Sequence, residues 1–421
     1  MKNNDMPVTD ACAPPESALL SVEEVRRRIM RLSRCVAEAE RVAVRAALGR
    51  VLAETVISPV NVPPASNSAM DGYAILSTDL PESGSRTLKV AGKSLAGAPF
   101  NDKVRPGQAI RIMTGAVMPA GTDTVIMQEQ AQREGDHIRI QPGHCAGEYV
   151  RQAGEDIAMG ATVLTPGKRV MPAELGLLAS VGISEVTVTR RLRAAFFSTG
   201  DELRSPGDTL EAGQIYDSNR YLLYGMLQRL DVDLVDLGIV PDDPDGIRDT
   251  LARAASQADV VVTSGGVSVG EADYVKQILD ELGEIDLWRI AMKPGKPLTV
   301  GTLGNAVFFG LPGNPVSTMV TFYQFVKPAI LQMMGQLDPQ AVSLRVPCTS
   351  RLTKVPGRLE YQRGILTQDP LGMLSVSSTG LQESHILTSM SRSNCFIILP
   401  AECAGVEPGE NVEVQPFAGL I

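Results

Sequence analysis

The chain has 421 residues, 44% of them hydrophobic and 21% charged, a composition that supports two to four folded domains and excludes a disordered chain. Its 39 Gly and 28 Pro promise many turns, but no Gly-X-Y period accompanies them, so collagen is excluded. With 39 basic and 48 acidic residues the formal charge is −9 and no long basic block occurs, which leaves no footprint for a nucleic-acid backbone.

The first 20 residues read as a polar tail with neither a basic-then-apolar leader nor a membrane span, so a cytoplasmic protein is expected. Ser21, with Glu24 three residues on, starts an amphipathic helix through SVEEVRRRIMRLS as a capping box, and a second helical stretch is expected to end near Gly49. From about Val60 to Met159 short β-like runs (RTLKVAG, AIRIMTG, DTVIMQE, HIRIQP) alternate with Gly/Pro turns. MPAELGLLASVG at 171–182 predicts a short helix and SEVTVTR at 184–190 a strand. Arg193 to about Gly335 then alternates apolar strands with amphipathic helices in the manner of βαβ units. The strands are expected at 193–199, 232–240, 258–264, 285–292 and 306–311, with helices at 218–230, 244–256, 271–282 and 314–334. After Pro339 short strands return (SLRVPCTS, MLSVSSTG, NCFIILP, NVEVQP), as in a small β-barrel-like domain. The expected fold is therefore multidomain, α/β plus β. Residues 1–20 are a tail, 21–59 with 159–190 a helical and β linking domain, 60–158 a β-rich domain, 191–340 an α/β domain with a mostly parallel sheet, and 341–421 a C-terminal β domain.

In an open parallel sheet a ligand sits beyond the carboxyl ends of the strands, so the residues that follow each strand carry the chemistry. Here they are Gly200-Asp201-Glu202, Pro241-Asp242-Asp243-Pro244, the run Ser264-Gly265-Gly266-Val267-Ser268-Val269-Gly270 leading to Asp273, Lys293-Pro294-Gly295-Lys296-Pro297, and Pro312-Gly313-Asn314-Pro315. Right-handed crossovers would bring these loops to one edge. The SGGVSVG segment opens a helix whose free N–H groups can cradle a phosphate, but Glu271-Ala272 replaces the Lys-Ser/Thr of a P-loop. Lys293 and Lys296 can supply the missing cation. Asp201, Glu202, Asp242, Asp243 and Asp273 would repel one another unless a cation shared them. Taken singly, each is as well read as a helix cap or surface charge, and Asp242 or Asp243 as the cap of the helix that Pro244 opens.

The six Cys include no C-x-x-C pair, and His137, His144 and His385 are not at helical spacing, so a metal here is a hard, oxygen-bound cation, with Mg²⁺ the natural choice. Gly266 to Gly270 also fits the G-x-S-x-G nucleophile elbow, but the only later histidine, His385, falls in the C-terminal β region, away from the sheet such a triad needs.

As an ordered set, SNSAMDGYAI, IRIMTGAVMPAGTDTVIMQE, AGEDI, FFSTGDEL, GQIYDSNR, TSGGVSVGEADYV, MKPGKPLTVG and FFGLPGNPVST resemble the MoeA family of molybdopterin molybdenumtransferases, to which the gephyrin E domain also belongs. The resemblance spans almost the whole chain after the tail. It implies four domains, a homodimer, and a molybdopterin-binding α/β domain. The implied reaction inserts molybdate into adenylylated molybdopterin with Mg²⁺ and release of AMP, and a molybdopterin adenylyltransferase is the implied pathway partner.

By the same resemblance Asp71, Thr114, Glu202, Asp242, Asp273, Pro312 and Pro315 match residues needed for activity. Lys293 and Lys296 match basic contacts to the pterin phosphate, within a cofactor loop set of Ser264, Gly265, Gly266, Ser268, Gly270, Gly313 and Asn314. Asp201, Glu202, Asp242 and Asp273 are the candidate metal ligands. The family's cleft joins the α/β domain of one subunit to the β-rich domain of the other, which gives Asp71 and Thr114 a reason to lie far upstream of the sheet loops. Ala65-Ser66 departs from the Phe-Asp frequent in relatives before N-S-A-M-D-G-Y, and Arg289 stands where relatives can carry lysine. An adenylyltransferase, which uses a similar α/β domain without the flanking ones, and a scaffolding protein are the alternatives.

Overall fold

The computed structural model describes residues 19–265, 278–279, 281–336 and 341–417. They fall into two compact units, Ala39–Val188 and a larger one in which the chain up to Glu38 joins Thr189 onward.

Helix α1 (Val22–Leu32) belongs to the larger unit, burying Val22, Val25 and Ile29. Ser21 caps it by accepting from Glu24 N at 3.2 Å, but the Glu24 carboxylate turns to Arg27 and Arg28, so only half of the expected capping box forms. Gln332 Nε2 donates to the Met30 and Ser33 carbonyls at 2.7 Å each, fastening the helix end to the body of the unit.

In the smaller unit the expected second helix is instead a strand, Ala39–Ala43, and one 3₁₀ turn, Val44–Ala47. The strand pairs with Glu185–Thr189, whose β-branched EVTVT run favours a ladder over helix propensity. Strands β1 (Gly72–Ile75), β2 (Arg86–Ser94), β3 (Gln108–Ile112), β4 (Thr124–Met127), β5 (Ala131–Glu134) and β6 (His137–Ile140) form a sheet in the order β4-β1-β3-β2-β6-β5. Its core is Tyr73, Ile75, Leu88, Ile126, Ile138 and Ile140. Helix α2 (Pro172–Ser180) packs separately with Val44, Leu52 and Val188.

The larger unit is built on β7 (Arg193–Thr199), β8 (Asp233–Val240), β9 (Val260–Ser264), β10 (Gly283–Arg289), β11 (Pro297–Leu303) and β12 (Ala306–Leu311), ordered β8-β7-β9-β12-β11-β10. The first four are parallel, and β7, β9 and β12 are apolar almost end to end because both their faces are covered. Helices α3 (Ser218–Gln228) and α4 (Pro244–Gln257) are capped by Asp217 and Asp243, whose side chains accept from Arg220 N and Gly246 N. Asp243, not Asp242, is thus the cap ahead of Pro244. The expected helix at 314–334 is α5 (Pro315–Thr321) and α6 (Lys327–Met333) joined by a π-helical turn, Phe322–Val326. Pro328, lacking an N–H, cannot continue a regular α ladder there.

Strand β11 is the one that was not expected. It pairs antiparallel to both β10 and β12. Strand β10 therefore runs in the same direction as the four parallel strands, and the turn at 293–297 lies at the ligand edge because it follows the carboxyl end of β10, as expected.

Beyond it lie β13 (Leu344–Pro347), β14 (Leu359–Gln368), β15 (Leu374–Ser378), helix α7 (Leu387–Arg392), β16 (Cys395–Leu399) and β17 (Asn411–Pro416). Met292–Lys293 adds parallel to β14, followed by β16, β17 and β13, with β15 also on β14. Val346, Leu352, Val376, Ile397 and Val414 fill the core of this sheet. The residues before the lysine turn are therefore stitched into the C-terminal sheet while those after it belong to the central one.

Candidate active site

The strand order lays the rim of the larger unit out as a line. At one end Asp201 follows β7 and Asp242 follows β8, and the two turns touch where Asp201 Oδ1 accepts from Asp242 N at 3.1 Å. Glu202 lies in the same turn as Asp201. Gly200 makes that turn possible: its φ is 149°, and a Cβ there would come within 2.6 Å of the Glu202 carboxylate. Among the described residues no three His, Cys, Asp or Glu side chains converge. Asp273, with Gly266, Ser268 and Gly270, lies outside the described residues.

The middle of the rim is a crossing point of three elements. Asn219, on the first turn of α3, donates through Nδ2 to Ser264 Oγ at 2.8 Å and to the Gly313 carbonyl at 2.6 Å. The carbonyl only accepts, so the amide orientation is fixed. Asn219 Oδ1 is buried with no partner among the described residues. Ser264 is buried, and Gly265 has φ of 91° with Thr199 O only 2.6 Å from where a Cβ would stand. The Pro312 carbonyl accepts from Thr318 Oγ1 at 2.6 Å and the Asn314 carbonyl from Thr318 N at 2.9 Å, so Pro312 to Pro315 is a fixed corner entering α5.

At the far end the Lys293-to-Pro297 turn opens on a cavity of about 600 Å³ shared with the C-terminal sheet. Gly295 has φ of 97° and packs on Thr321, where a Cβ would meet a methyl at 2.7 Å. Lys293, Lys296 and Arg351 bring positive charge to the wall; Ser378, Gln382 and Gly313 bring neutral polar groups. Lys293 Nζ pairs with Glu360 Oε1 at 3.2 Å and Arg351 with Glu407 at 3.1 Å. Lys296 has no ion pair among the described residues.

Behind this wall Arg363 is almost fully buried. It donates from Nε to Ser389 Oγ at 3.0 Å and from Nη2 to the Glu383 carbonyl at 3.1 Å. Burial pulls its pKa down to about 10, against the pull of the Glu360 and Glu383 charges. Gln382 clasps the Arg363 backbone from both sides, accepting its N–H at 2.7 Å and donating to its carbonyl at 3.1 Å, so the 378–384 loop is held to β14.

In the smaller unit Asp71 Oδ1 accepts from both Thr114 N and Thr114 Oγ1 at 2.7 Å. These two bonds hold the carboxyl below its ordinary range. Gly72 beside it permits β1 and β4 to close, since a Cβ would stand 2.0 Å from Ile126 O.

The sequence reading thus places Asp201, Glu202, Asp242, Ser264, Gly265, Lys293, Lys296, Pro312, Gly313, Asn314 and Pro315 along one rim, and pairs Asp71 with Thr114. It missed Asn219, Arg351, Glu360, Gln362, Arg363, Ser378 and Gln382. One signal was available: Leu359–Gln368 carries Glu360, Gln362 and Arg363 close together in one strand, and these three polar residues are buried while Thr367 and Gln368 at its end are exposed, a breach of polar-out patterning.

The open α/β sheet with its polar rim and flanking β domains defines a multidomain α/β plus β protein. Family models match accordingly: the MoeA N-terminal region (domain I and II) at residues 20–182, a probable molybdopterin binding domain at 195–332, and the MoeA C-terminal region (domain IV) at 345–417. The molybdopterin molybdenumtransferase of Haemophilus influenzae is 44% identical, covering 96% of this chain and 100% of its own. That of a Nostoc species is 37% identical over 90% and 88%. A molybdopterin biosynthesis MoeA protein of Pyrococcus horikoshii superposes with a TM-score of 0.82 at 28% identity, covering 95% of this chain and all of that one. The chain belongs to the MoeA family of molybdopterin molybdenumtransferases. It is a transferase of molybdenum cofactor biosynthesis.

Proposed function

We propose that the rim binds adenylylated molybdopterin lengthwise and that the lysine cavity takes molybdate, which is inserted into the dithiolene as AMP leaves. The observation that carries this reading is the separation of charge along the rim, carboxylates at one end and cations at the other. Three strand intervals of about 4.8 Å each, roughly 14 Å, lie between β7 and β11, so one extended ligand is needed to use both ends.

Molybdate is a dianion, and Lys293, Lys296 and Arg351 with the hydroxyl of Ser378 suit it as charged and neutral donors. Asn219 and the Pro312 to Pro315 corner orient the middle of the ligand. The dithiolene sulfurs belong to the ligand, so no cysteine of this chain is required.

Asp201 and Asp242, on adjacent turns with Glu202 beside them, are hard oxygen donors that fit Mg²⁺, which takes one or two protein carboxylates and completes its shell with water and substrate phosphate. When bound there it would neutralise charge at the adenylate phosphate. Asp273 is assigned to the same set on its motif.

A homodimer, with the Asp71 and Thr114 pair contributed by a second copy, gives those two residues a part in the reaction. The C-terminal domain is read as barrel-like, a reading supported by the bridge from Cys348, just after β13, to Val376 of β15. A molybdopterin adenylyltransferase would supply the substrate.

The test is turnover: purified protein with adenylylated molybdopterin, Mg²⁺ and molybdate should release AMP and yield a cofactor that activates an apo-molybdoenzyme. Absence of both sinks the reading. Mixing Asp71→Asn with Asp242→Ala protein should restore about a quarter of wild-type turnover through heterodimers carrying one intact site; no recovery removes the shared site.

A further inference from the structure

The cavity contains a residue of the wrong sign. Glu360 sits in its wall with a side chain only 6% exposed, beside the lysines and neutral donors that suit an oxyanion. It is not free to leave. Its Oε1 takes both the Lys293 ammonium at 3.2 Å and Gln362 Nε2 at 3.1 Å, and that same nitrogen is anchored on the Thr353 carbonyl at 3.0 Å. Glu360 also lies at the point where the Lys293 strand residue joins β14, opposite Leu399 of β16, so its backbone is held from two sides.

We infer that Glu360 is an internal competitor for Lys293 that keeps molybdate weakly held, so that the oxyanion passes readily to the dithiolene. This rests on the reading of the cavity as the molybdate site. An incoming dianion must either displace the carboxylate from Lys293 or accept a fixed negative charge beside it, and a half-buried setting screens that repulsion poorly. Glu383 adds a second carboxylate to the wall. The cations facing the anion are Lys296, which carries no ion pair among the described residues, and Arg351, which is shared with Glu407. Affinity expressed equally before and during transfer does not speed the transfer, and affinity lost on the way to it slows it. Glu360 is thus a residue that sets affinity, and Gln362 is the positioning residue that stops it from turning away.

Inorganic molybdate titrated calorimetrically into the full chain tests this. Glu360→Gln keeps the shape and both hydrogen bonds while removing the charge, and should bind molybdate at least about tenfold more tightly. In turnover the same variant should show KM for molybdate and kcat falling together, the signature of relieved ground-state repulsion. Glu360→Asp, which withdraws the carboxylate from Lys293 by one methylene, should fall between them and provides a second variant should the first be unstable. Molybdate binding by the wild type with equal or weaker binding by Glu360→Gln overturns the role of Glu360 alone, because a residue needed only to position Lys293 would weaken binding when neutralised. If neither protein binds molybdate, the cavity reading falls and takes this inference with it.

Discussion

The two ends of the rim solve opposite electrostatic problems with opposite means. At the β7 and β8 end, Asp201, Glu202 and Asp242 gather negative charge on turns held by backbone N–H groups, as in the bond from Asp242 N to Asp201. At the lysine end, positive charge is gathered and then partly cancelled, by Glu360 against Lys293 and Glu407 against Arg351. On the proposed reading, the end built around acids works with an external cation. An end built around paired cations is already balanced and tunes how firmly it holds an anion. The difference teaches that a single rim can bind a ligand whose two ends carry different chemistry, provided the strand order keeps them apart.

The harshest way to break this comparison is at the cation end. Lys296→Ala removes the lysine that is not engaged by a carboxylate among the described residues, and kcat/KM should fall by about 10²- to 10³-fold, as when one preorganised charge-stabilising donor is lost. Lys293→Ala should cost less, since part of its charge is already spent on Glu360; equal losses measured by steady-state kinetics would contradict the unequal pairing. At the acid end, Asp242→Ala should leave equilibrium binding of the adenylated ligand within a few-fold of wild type while single-turnover AMP release slows by about 10²-fold. Between the ends, Asn219→Ala should lower turnover about tenfold with little change in melting temperature, because the amide leaves its own oxygen buried with no partner among the described residues. A large drop in melting temperature would instead make Asn219 a stability residue.

The smallest expected effect concerns Asp71, a carboxylate held by neutral donors and so unlike either end. Its pKa is depressed by the Thr114 N–H and then the hydroxyl, so it stays ionised below the ordinary value of 3.8. The stability these bonds add is present above that ordinary value and is lost as pH falls through the depressed one. Thr114→Val deletes the hydroxyl bond but keeps the N–H, so the acid-side loss of activity should begin at higher pH. An unchanged acid limb in the pH–rate profile would detach Asp71 from the reaction.

Much of the site was legible because its residues sit where a parallel sheet always concentrates chemistry, just past the strand ends. Asp201, Asp242, Gly313 and the two lysines could be named from strand periodicity alone, and their motifs raised Asp71 and Thr114 from ordinary turn residues to a pair. Asn219 was not legible, because an Asn just after a helix cap looks the same whether it faces solvent or crosses to Ser264 and Gly313. Arg363 and Glu360 were missed for a related reason: they lie in the C-terminal β region, and only the parallel pairing of Met292–Lys293 with β14 brings them behind the lysine turn. The expected helix near Gly49 failed because its alanines carry helix propensity while its pairing partner, EVTVT, lies about 140 residues away and decided the matter for strand.

By itself the sequence determined much of the local grammar: most of the strands, the cap at Ser21, and the acids and lysines that follow the strand ends. Periodicity and capping act over a few residues, so a linear reading reaches them. The strand order, the insertion of the antiparallel β11 between β10 and β12, and the burial of Glu360 against Lys293 were decided only in three dimensions. Those features depend on which distant segments share a ladder and exclude water together, and no short stretch of sequence contains both partners.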